Sequence, residues 1–495
     1  MFTRRRFLQG LGALAASPQL QAQDNPFALG VASGYPTPAS VVLWTRLLGV
    51  VEPRVRWEVA ADEAMKKVVL HGETDADPAW AHSVHVEVEG LQPDRWYWYR
   101  FRSGNVESTV GRTRTAPAPG STPAALRFAF ASCQHYEQGY FGAYRHIVAD
   151  RPDLVAFLGD YIYESSWGRD HVRKHGGQAP RTLDEYRARH ALYKSDVDLQ
   201  AAHAAAPWIV TWDDHEVVND YAGERGSGES SERVFLARRR AAYRAFYEHM
   251  PLPDRMRPGA RGMRIYTQLD WGALASFFVL DSRQYRSYQA CRETGTRSAP
   301  VVDPLQCAEL GDPARTMLGR EQELWLGGAL ARSGARWNLI TQQTPMAQFD
   351  QKPGPGRGAW TDGWDGYPAA RSRLFDSLAG ISNPVVIGGD VHSFNVSDLK
   401  RNFDDPASPV LASEFVGTSI TSQAWPHEKL LERLPDNPHI KLADGRSRGY
   451  VRMELAPGLC RADLRAMQSV QRRDARCSTF ASFVVEDGRA GPLRA

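Results

Sequence analysis

Residues 128–164 read FAFASCQHYEQGYFGAYRHIVADRPDLVAFLGDYIYE, and this stretch decides the fold. Two short apolar runs, residues 126–130 and 154–158, are rich in strand-forming side chains, and the spacing of residues 143–149 between them predicts a helix. A strand, a helix and a second strand in this order form a βαβ unit, in which the two strands lie parallel. We therefore expect the carboxyl ends of both strands to share one edge of a sheet.

Three side chains that can become anionic follow these strands. Cys133 comes after the first strand, and Asp160 and Tyr163 come after the second. Ligands bind at the carboxyl ends of strands in open α/β sheets, and a thiolate, a carboxylate and a phenolate can share that crevice only beside a cation. The pattern predicts a metal site. The alternative is that Cys133 is a small core residue and Asp160 caps a loop.

A second polar cluster ends another predicted strand. In the segment PWIVTWDDHE, residues 207–216, Asp213, Asp214 and His215 directly follow the apolar part, and Asn219 lies one turn further on. Carboxylate oxygens at this point suit a hard cation, and His215 could donate a proton to a phosphoryl or leaving-group oxygen. The alternative is that one of the two aspartates caps a helix.

A third cluster lies in PVVIGGDVH, residues 384–392. The paired glycines let the backbone approach a ligand closely, and Asp390 and His392 point to the same side of an extended chain. One further strand, residues 337–341, is followed by Gln343, whose amide oxygen could bind a hard ion or serve as a loop hydrogen bonder. Three such clusters favour the metal interpretation over the capping one.

The amino terminus is typical of an exported protein. Arg4 and Arg5 precede a short apolar run at residues 11–16, which predicts a twin-arginine signal over residues 1–22, with a Sec signal as the alternative. The run is too short to span a bilayer stably. Removal of three arginines and no acid lowers the formal net charge from +3 to zero, so bulk charge gives no support for binding nucleic acid or anionic membranes.

The five cysteines also fit an oxidising compartment. Cys291 and Cys307 bracket one loop, and Cys460 and Cys477 bracket two strand-like segments, so each pair could close a disulfide. Cys133 is then the odd thiol, which supports its role as a ligand.

Two domains are expected, since 495 residues are too many for one ordinary domain. Residues 24–116 contain short alternating segments separated by turns, which predict a fibronectin-III-like antiparallel β-sandwich. The Pro-rich stretch at residues 116–123 predicts a linker to a second domain at residues 124–490. We expect the first domain to shield the second, with substrate gating or polymer binding as the alternative.

The motifs ASCQ, GDYIYE, WDDHE, NDYAG and GGDVH, in this order, resemble those of the PhoD-type alkaline phosphatase/phosphodiesterase family of calcineurin-like metallophosphoesterases. The segment FALGVASGYPTPASVVLWTRL, residues 27–47, is similar to the family's amino-terminal module, so the resemblance covers nearly the whole chain. It implies an α/β (α+β) fold, with a four-layer αββα metallophosphoesterase domain after the sandwich.

The resemblance further implies an iron–calcium centre. Fe(III) suits thiolate and phenolate donors and is expected at Cys133, Asp160, Tyr163 and His392. One or two Ca(II) ions are expected at Asp160, Asp214, Asp390 and Gln343, with Asp213 and Asn219 as additional ligands. Two adjacent cations can activate water for attack on phosphorus, with His215 as the catalytic proton donor.

The implied function is the hydrolysis of phosphate mono- and diesters, in small molecules or polymers, in the periplasm or outside the cell. The twin-arginine export machinery is the expected partner. We expect a monomer, with no stable membrane span and no specific nucleic-acid recognition. Two alternatives stay open: a phospholipase D-type hydrolase of phospholipid headgroups, and a non-catalytic cell-envelope binding protein with structural metals.

Overall fold

A computed structural model describes residues 25–49, 53–229, 231–259, 262–293 and 295–495. The predicted export signal at residues 1–22 lies outside these ranges. The strands, numbered in chain order, are β1 Val31–Gly34, β2 Val41–Arg46, β3 Arg54–Ala60, β4 Val68–Asp75, β5 Ser83–Val88, β6 Trp96–Ser103, β7 Val106–Glu107, β8 Gly111–Arg114, β9 Leu126–Ala131, β10 Leu154–Leu158, β11 Pro207–Thr211, β12 Thr267–Trp271, β13 Ala275–Val279, β14 Val301–Val302, β15 Trp337–Thr341, β16 Ala359–Trp360, β17 Pro384–Gly388, β18 Phe394–Lys400, β19 Val410–Val416, β20 Ile440–Asp444, β21 Arg448–Ala456, β22 Leu459–Met467, β23 Cys477–Glu486 and β24 Leu493–Arg494. The α-helices are α1 Ala143–Ala149, α2 Leu183–Lys194, α3 Val197–Ala205, α4 Glu232–His249, α5 Arg320–Ala331, α6 Pro368–Leu378 and α7 His427–Leu431.

Two large sheets form the centre of the molecule. One has the order β24-β23-β22-β21-β9-β10-β11-β1-β2-β5, and the other has the order β12-β13-β15-β17-β19-β18-β20. The inner faces of both sheets share one hydrophobic core. In this core Phe128 and Phe277 meet edge to face with ring centroids 5.2 Å apart, an arrangement that adds about 0.5–1.5 kcal/mol beyond simple burial.

Helices cover the outer faces of both sheets. The first sheet packs against α1 to α4, and the second packs against α5 and α6 through a separate apolar cluster. The layers therefore run helix, sheet, sheet, helix, and the predicted four-layer α/β architecture is confirmed. The predicted βαβ unit is confirmed as well, because β9 and β10 pair in parallel around α1.

The amino-terminal β-rich region shares a sheet with the rest of the chain. A five-stranded sheet formed by β3, β4, β6, β7 and β8 packs on β1, β2 and β5 around its own apolar core. These last three strands extend the ten-stranded sheet, because β1 pairs in parallel with β11. The two layers of the sandwich are present, and one of them is continuous with the central sheet.

One disulfide prediction agrees with the structure and the other is wrong. Cys291 and Cys307 are bonded, with their Cα atoms 6.1 Å apart. Cys460 and Cys477 are free. In the β22–β23 ladder Cys460 lies opposite Val485, whereas Cys477 lies opposite Met467. That register separates the two thiols by about 23 Å along the strands at roughly 3.3 Å per residue, far beyond the reach of a disulfide.

No helix among the described residues is long and apolar enough to cross a bilayer.

Candidate metal centre

The carboxyl ends of the parallel strands in the two sheets meet at one place. β9, β10 and β11 are parallel in the first sheet, and β13, β15, β17 and β19 are parallel in the second. Ser132, just after β9, forms a parallel bridge with Ser419, just after β19. Side chains that follow strands of either sheet are therefore brought to a common cleft.

Two glycines make this close approach possible. A Cβ at Gly389, after β17, would overlap the Ser132 side chain from the opposite sheet. Gly159, after β10, has a φ of 102°, and a Cβ there would lie 2.6 Å from the Asp213 backbone nitrogen. Only glycine fits at either point, because a side chain at Gly389 would push the two sheets apart and one at Gly159 would push β10 away from β11.

The first cluster contains Cys133, Asp160 and His392, whose ligand atoms all lie within 4.8 Å of one another. The Tyr163 hydroxyl joins them, 2.7 Å from Asp160 Oδ2 and 3.0 Å from His392 Nε2. His392 Nδ1 donates to the Gln423 carbonyl at 2.7 Å. A carbonyl can only accept, so Nε2 carries the lone pair that faces the cluster.

Four of the candidate ligands have a strained backbone. Cys133, Asp160, Asp390 and His392 have φ values of 59°, 57°, 69° and 55°. Non-glycine residues rarely adopt this left-handed conformation, which costs of order 1–3 kcal/mol and tends to persist at functional sites. Four of the residues that the sequence predicts as ligands therefore adopt this unfavourable conformation in the folded protein.

The acids of the first cluster cannot all ionise in the absence of a cation. Burial and the neighbouring Asp160 raise the pKa of the Cys133 thiol well above its usual range. Burial also raises the pKa values of Asp160 and Tyr163, and nearby carboxylates add to both shifts. Burial lowers the pKa of His392 to about 3, so its imidazole is neutral. The cluster therefore combines one neutral imidazole with three acids whose ionisation is unfavourable. A metal ion would displace the protons of these acids and bind the resulting anions.

The second cluster contains Asp160, Asp214 and His215, again with ligand atoms within 4.8 Å of one another. Asp160 thus belongs to both clusters. His215 Nδ1 lies 2.6 Å from Glu164 Oε2. Burial alone would lower the pKa of His215, but Glu164, Asp214 and Asp160 outweigh it and raise that pKa well above 6.5. The second cluster therefore combines carboxylate oxygens with a charged imidazole.

The other predicted ligands line or adjoin the same cleft. Asp214, Asp390 and Asn219 lie in its wall. Asp214 Oδ1, Asp390 Oδ2 and Gln343 Oε1 are buried oxygens without a hydrogen-bond partner. Gln343 is fixed by its Nε2, which donates to Thr211 Oγ1 at 2.7 Å. The Asn219 side-chain amide donates to the Arg297 carbonyl at 3.1 Å. The structure therefore gathers these groups from both sheets.

Asp213 has a partner that its sequence context did not reveal. One of its oxygens pairs with the fully buried Arg283, and the other has no partner. Arg283 also contacts Asp362 at 2.6 Å and approaches Asp214 at 3.6 Å. Asp390 adds a fourth carboxylate near the same guanidinium. Negative charge exceeds positive charge here even with Arg286 on Asp362, which suits a bound cation.

Two glutamates at the site were missed as functional residues. Glu216 accepts the backbone N–H groups of Asp160, Tyr161 and Asp213 at 3.1, 2.7 and 2.9 Å, so it ties the loop after β10 to the loop after β11. Glu164 holds His215. Glu164 is the last residue of the motif GDYIYE, and Glu216 is the last residue of WDDHE. Their position next to candidate ligands was the feature of the sequence that could have indicated a role at the site.

The cleft over the two clusters has a volume of about 790 Å³. Asp160, Asp214, His215, Asp390 and His392 lie in its lining. The remaining wall combines aromatic side chains with arginines, among them Phe349, Trp360, Trp425, Arg181 and Arg297. This volume lies within the range of about 300–1,000 Å³ typical of small-molecule sites.

Comparisons with known proteins find one family across both parts of the chain. The family model for PhoD-like phosphatases matches residues 128–464, and the model for their amino-terminal domain matches residues 13–117. Alkaline phosphatase D of Bacillus subtilis (strain 168) is 44% identical, over 99% of this chain and 88% of that protein. A solved structure of PhoD superposes with a TM-score of 0.90 at 44% identity, and covers 95% of this chain and 92% of the other.

Proposed function

The chain belongs to the PhoD-like phosphatase family, and on this premise we propose that it is an exported alkaline phosphatase/phosphodiesterase with an Fe(III)–Ca(II) centre. The observation that carries the proposal is the position of Asp160 in both clusters at the meeting edges of the sheets. A carboxylate common to two clusters can bind two cations side by side, as in two-metal phosphoesterases. We propose residues 24–116 and 124–490 as the two domains, after a signal at residues 1–22.

The donor chemistry divides the ligands into two sets. A thiolate, a phenolate and an imidazole suit Fe(III), which we assign to Cys133, Asp160, Tyr163 and His392. Oxygen donors suit one or two Ca(II) ions, which we assign to Asp160, Asp214, Asp390 and Gln343, with Asp213 and Asn219 as further candidates. The unpartnered oxygens of Asp213, Asp214, Asp390 and Gln343 support the second set. When bound, the metals would supply Lewis acidity towards phosphoryl oxygens and a nucleophilic water near neutral pH.

His215 and Glu164 are the proton-transfer pair of the chain itself. Since Nδ1 of His215 is held by Glu164, Nε2 is the nitrogen free to carry a proton towards a substrate. Glu164 is the carboxylate that raises the pKa of the imidazole most, against the effect of burial, and it is not one of the assigned metal ligands, so it favours a protonated ring. A charged imidazole can bind a phosphoryl oxygen and then donate its proton to the departing alkoxide.

The dimensions of the cleft support a diester substrate. Its volume of about 790 Å³ leaves room for an organic group beyond one phosphate, and the aromatic wall offers surfaces on which such a group can pack. Arg297, in the same wall, could offer positive charge to a phosphate. These features support activity on both mono- and diesters.

Export is supported by features at two places in the chain. The Arg4-Arg5 pair precedes an apolar run that is too short to span a bilayer, and the Cys291–Cys307 disulfide fits an oxidising compartment. We propose that the twin-arginine machinery delivers the folded protein to the periplasm or the medium.

Hydrolysis assays on two substrates test the proposal. Protein exported by a host with a twin-arginine pathway should hydrolyse p-nitrophenyl phosphate and bis-p-nitrophenyl phosphate. Removal of calcium by a selective chelator should abolish both activities, and re-addition should restore them. Inactivity towards both esters with iron and calcium bound would contradict the proposal and favour a binding protein with structural metals.

A further inference from the structure

Arg448, the first residue of β21, binds three loops near the first cluster. Its Nη1 donates to the His392 carbonyl at 2.9 Å and to the Ser422 carbonyl at 2.6 Å. The same nitrogen lies 3.0 Å from Ser419 Oγ, and Nη2 donates to the Gly445 carbonyl. The guanidinium thus joins β21 of the first sheet to the loops that follow β17, β19 and β20 of the second sheet.

Two of these contacts act on the candidate ligand His392. This residue has a φ of 55°, and Arg448 fixes its carbonyl in that strained turn. The His392 ring is held through Nδ1 by the Gln423 carbonyl at 2.7 Å, and Arg448 binds the carbonyl of the preceding residue, Ser422. One guanidinium therefore fixes both the backbone of His392 and the segment that orients its ring.

Ser422 extends this arrangement to two more candidate ligands. Its Oγ donates to the Cys133 carbonyl at 2.8 Å and lies 2.9 Å from the Tyr163 hydroxyl. Its backbone N–H also donates to the Cys133 carbonyl, at 3.3 Å. Because Arg448 holds the Ser422 carbonyl, the loop after β19 is fixed against the residues that present the thiol and the phenol.

In the described part of the chain, the positive charge of Arg448 has no carboxylate in direct contact. Its hydrogen-bond acceptors there are three carbonyls and one hydroxyl. Burial lowers the pKa of Arg448 to about 10, and Asp444, Cys133 and Tyr163 each oppose this shift. The guanidinium is therefore charged at neutral pH and lies within electrostatic reach of two candidate ligands, whose ionised forms a neighbouring cation stabilises.

We propose that Arg448 is a positioning residue of the iron site, which holds His392 in place and raises the Fe(III)/Fe(II) reduction potential; this inference rests on the proposed function. Partners of metal ligands orient them, and their loss typically costs about 10–100-fold in metal affinity. Reduction of Fe(III) adds one negative charge to the site, so a nearby positive charge favours the reduced form. A residue that only supports the fold would leave the potential unchanged.

Iron affinity and redox titration of the exported holoprotein test this role. Arg448→Gln removes the charge and most of the hydrogen bonds, so iron affinity, measured against a competing chelator, should fall about 10–100-fold. The Fe(III)/Fe(II) equilibrium, followed by electron paramagnetic resonance of ferric iron, should shift about tenfold or more towards Fe(III), which is about 59 mV to lower potential. If Arg448→Gln does not fold, Arg448→His replaces it at about pH 8, where the imidazole is neutral.

Two further variants separate the charge of Arg448 from its support of the fold. Arg448→Lys keeps the charge on a single donor nitrogen, so its Fe(III)/Fe(II) equilibrium should stay within about threefold of wild type. Arg446→Gln is the matched control, because Arg446 lies in the same turn and its side chain is 71% exposed, 3.6 Å from Asp444. This control should keep the iron affinity and the equilibrium of wild type.

Iron content and ester hydrolysis of wild type are measured first, so that failure of this inference can be told from failure of the proposed function. An unchanged equilibrium in Arg448→Gln would overturn the inference. An equal shift in Arg448→Lys would also overturn it, and would assign Arg448 to support of the fold alone. If wild type hydrolyses both esters with iron bound, either result leaves the proposed function standing. Wild type without iron would contradict both.

Discussion

His215 Nδ1 lies 2.6 Å from Glu164 Oε2, and this buried pair connects the loop after β11 to the loop after β10. Glu164 also accepts the backbone N–H of Asn219 at 3.1 Å, so the carboxylate is fixed from two directions. The charged imidazole is therefore held in one orientation, with its Nε2–H free. This geometry gives His215 a role in proton transfer that can be separated from metal binding.

Replacing His215 by Ala should lower kcat by about 10²–10⁴-fold, the range expected for loss of a general acid. Glu164→Gln should have a smaller effect in the same direction, because the ring stays oriented but loses its countercharge. Iron and calcium contents, measured on the same preparations, should be unchanged. A His215→Ala variant that keeps wild-type kcat, with metals bound, would remove the assigned role.

Tyr163 should give the iron-loaded protein a colour. A phenolate bound to Fe(III) produces a visible charge-transfer band, so Tyr163→Phe should abolish the band while the fold persists. The Tyr163 hydroxyl lies 2.9 Å from Ser422 Oγ, and Ser422→Ala is a matched control that should keep the band. A colourless iron-replete wild type would exclude Tyr163 as a ligand.

Gly389→Ala should destabilise the meeting point of the two sheets. The added methyl group would overlap the Ser132 side chain, and overpacking of this kind costs about 1–3 kcal/mol of unfolding free energy. Ser132→Gly in the same chain removes the obstructing atoms and should recover most of the loss. Chemical denaturation of both single variants and the double variant measures this coupling. Additive losses in the double variant would show that the two positions do not meet.

His85 should make the protein less stable in mild acid. Its Nε2 lies 3.0 Å from the carbonyls of Tyr247 and Met250, and burial lowers its pKa to about 4 from 6.5. The unfolded chain therefore binds more protons between these values, so the contribution is complete above pH 6.5 and is lost as pH falls towards 4. The loss between pH 7 and pH 5 should reach up to about 2 kcal/mol.

The matched variant for this prediction is His85→Gln, whose amide can still donate to the same carbonyls. Unfolding free energies of wild type and variant, measured by denaturant at pH 7 and pH 5, should differ in their pH dependence by that amount. Parallel pH profiles would mean that His85 is not held neutral in the folded protein.

Local sequence patterns predicted the main features of the fold and the convergence of the candidate ligands. The sequence predicts that four candidate ligands lie close together, because each of them follows an apolar strand and parallel strands bring their carboxyl ends together. These residues are Cys133, Asp160, Asp214 and His392. Where a contact depends on register, the sequence was insufficient. Cys460 and Cys477 have a sequence spacing that a disulfide could bridge, but the register of β22 against β23 places them at opposite ends of the two strands.

Features that depend on contacts between distant elements were also beyond the sequence. The pairing of β1 with β11 joins the sandwich to the central sheet, and no local pattern in either strand indicates it. The partnership of Asp213 with Arg283 spans 70 positions in the chain. The hydrogen bond from the His175 N–H to Glu137 Oε1 spans 38 positions.

The most direct test of the iron–calcium account is an anomalous difference map from crystals of the exported protein, recorded on both sides of the iron absorption edge. The account predicts one iron peak per chain within bonding distance of Cys133 Sγ, Asp160, the Tyr163 hydroxyl and His392 Nε2. Crystals of Cys133→Ser should lose that peak and keep the Cys291–Cys307 disulfide. An iron peak elsewhere, or zinc in place of iron at these four residues, would contradict the account.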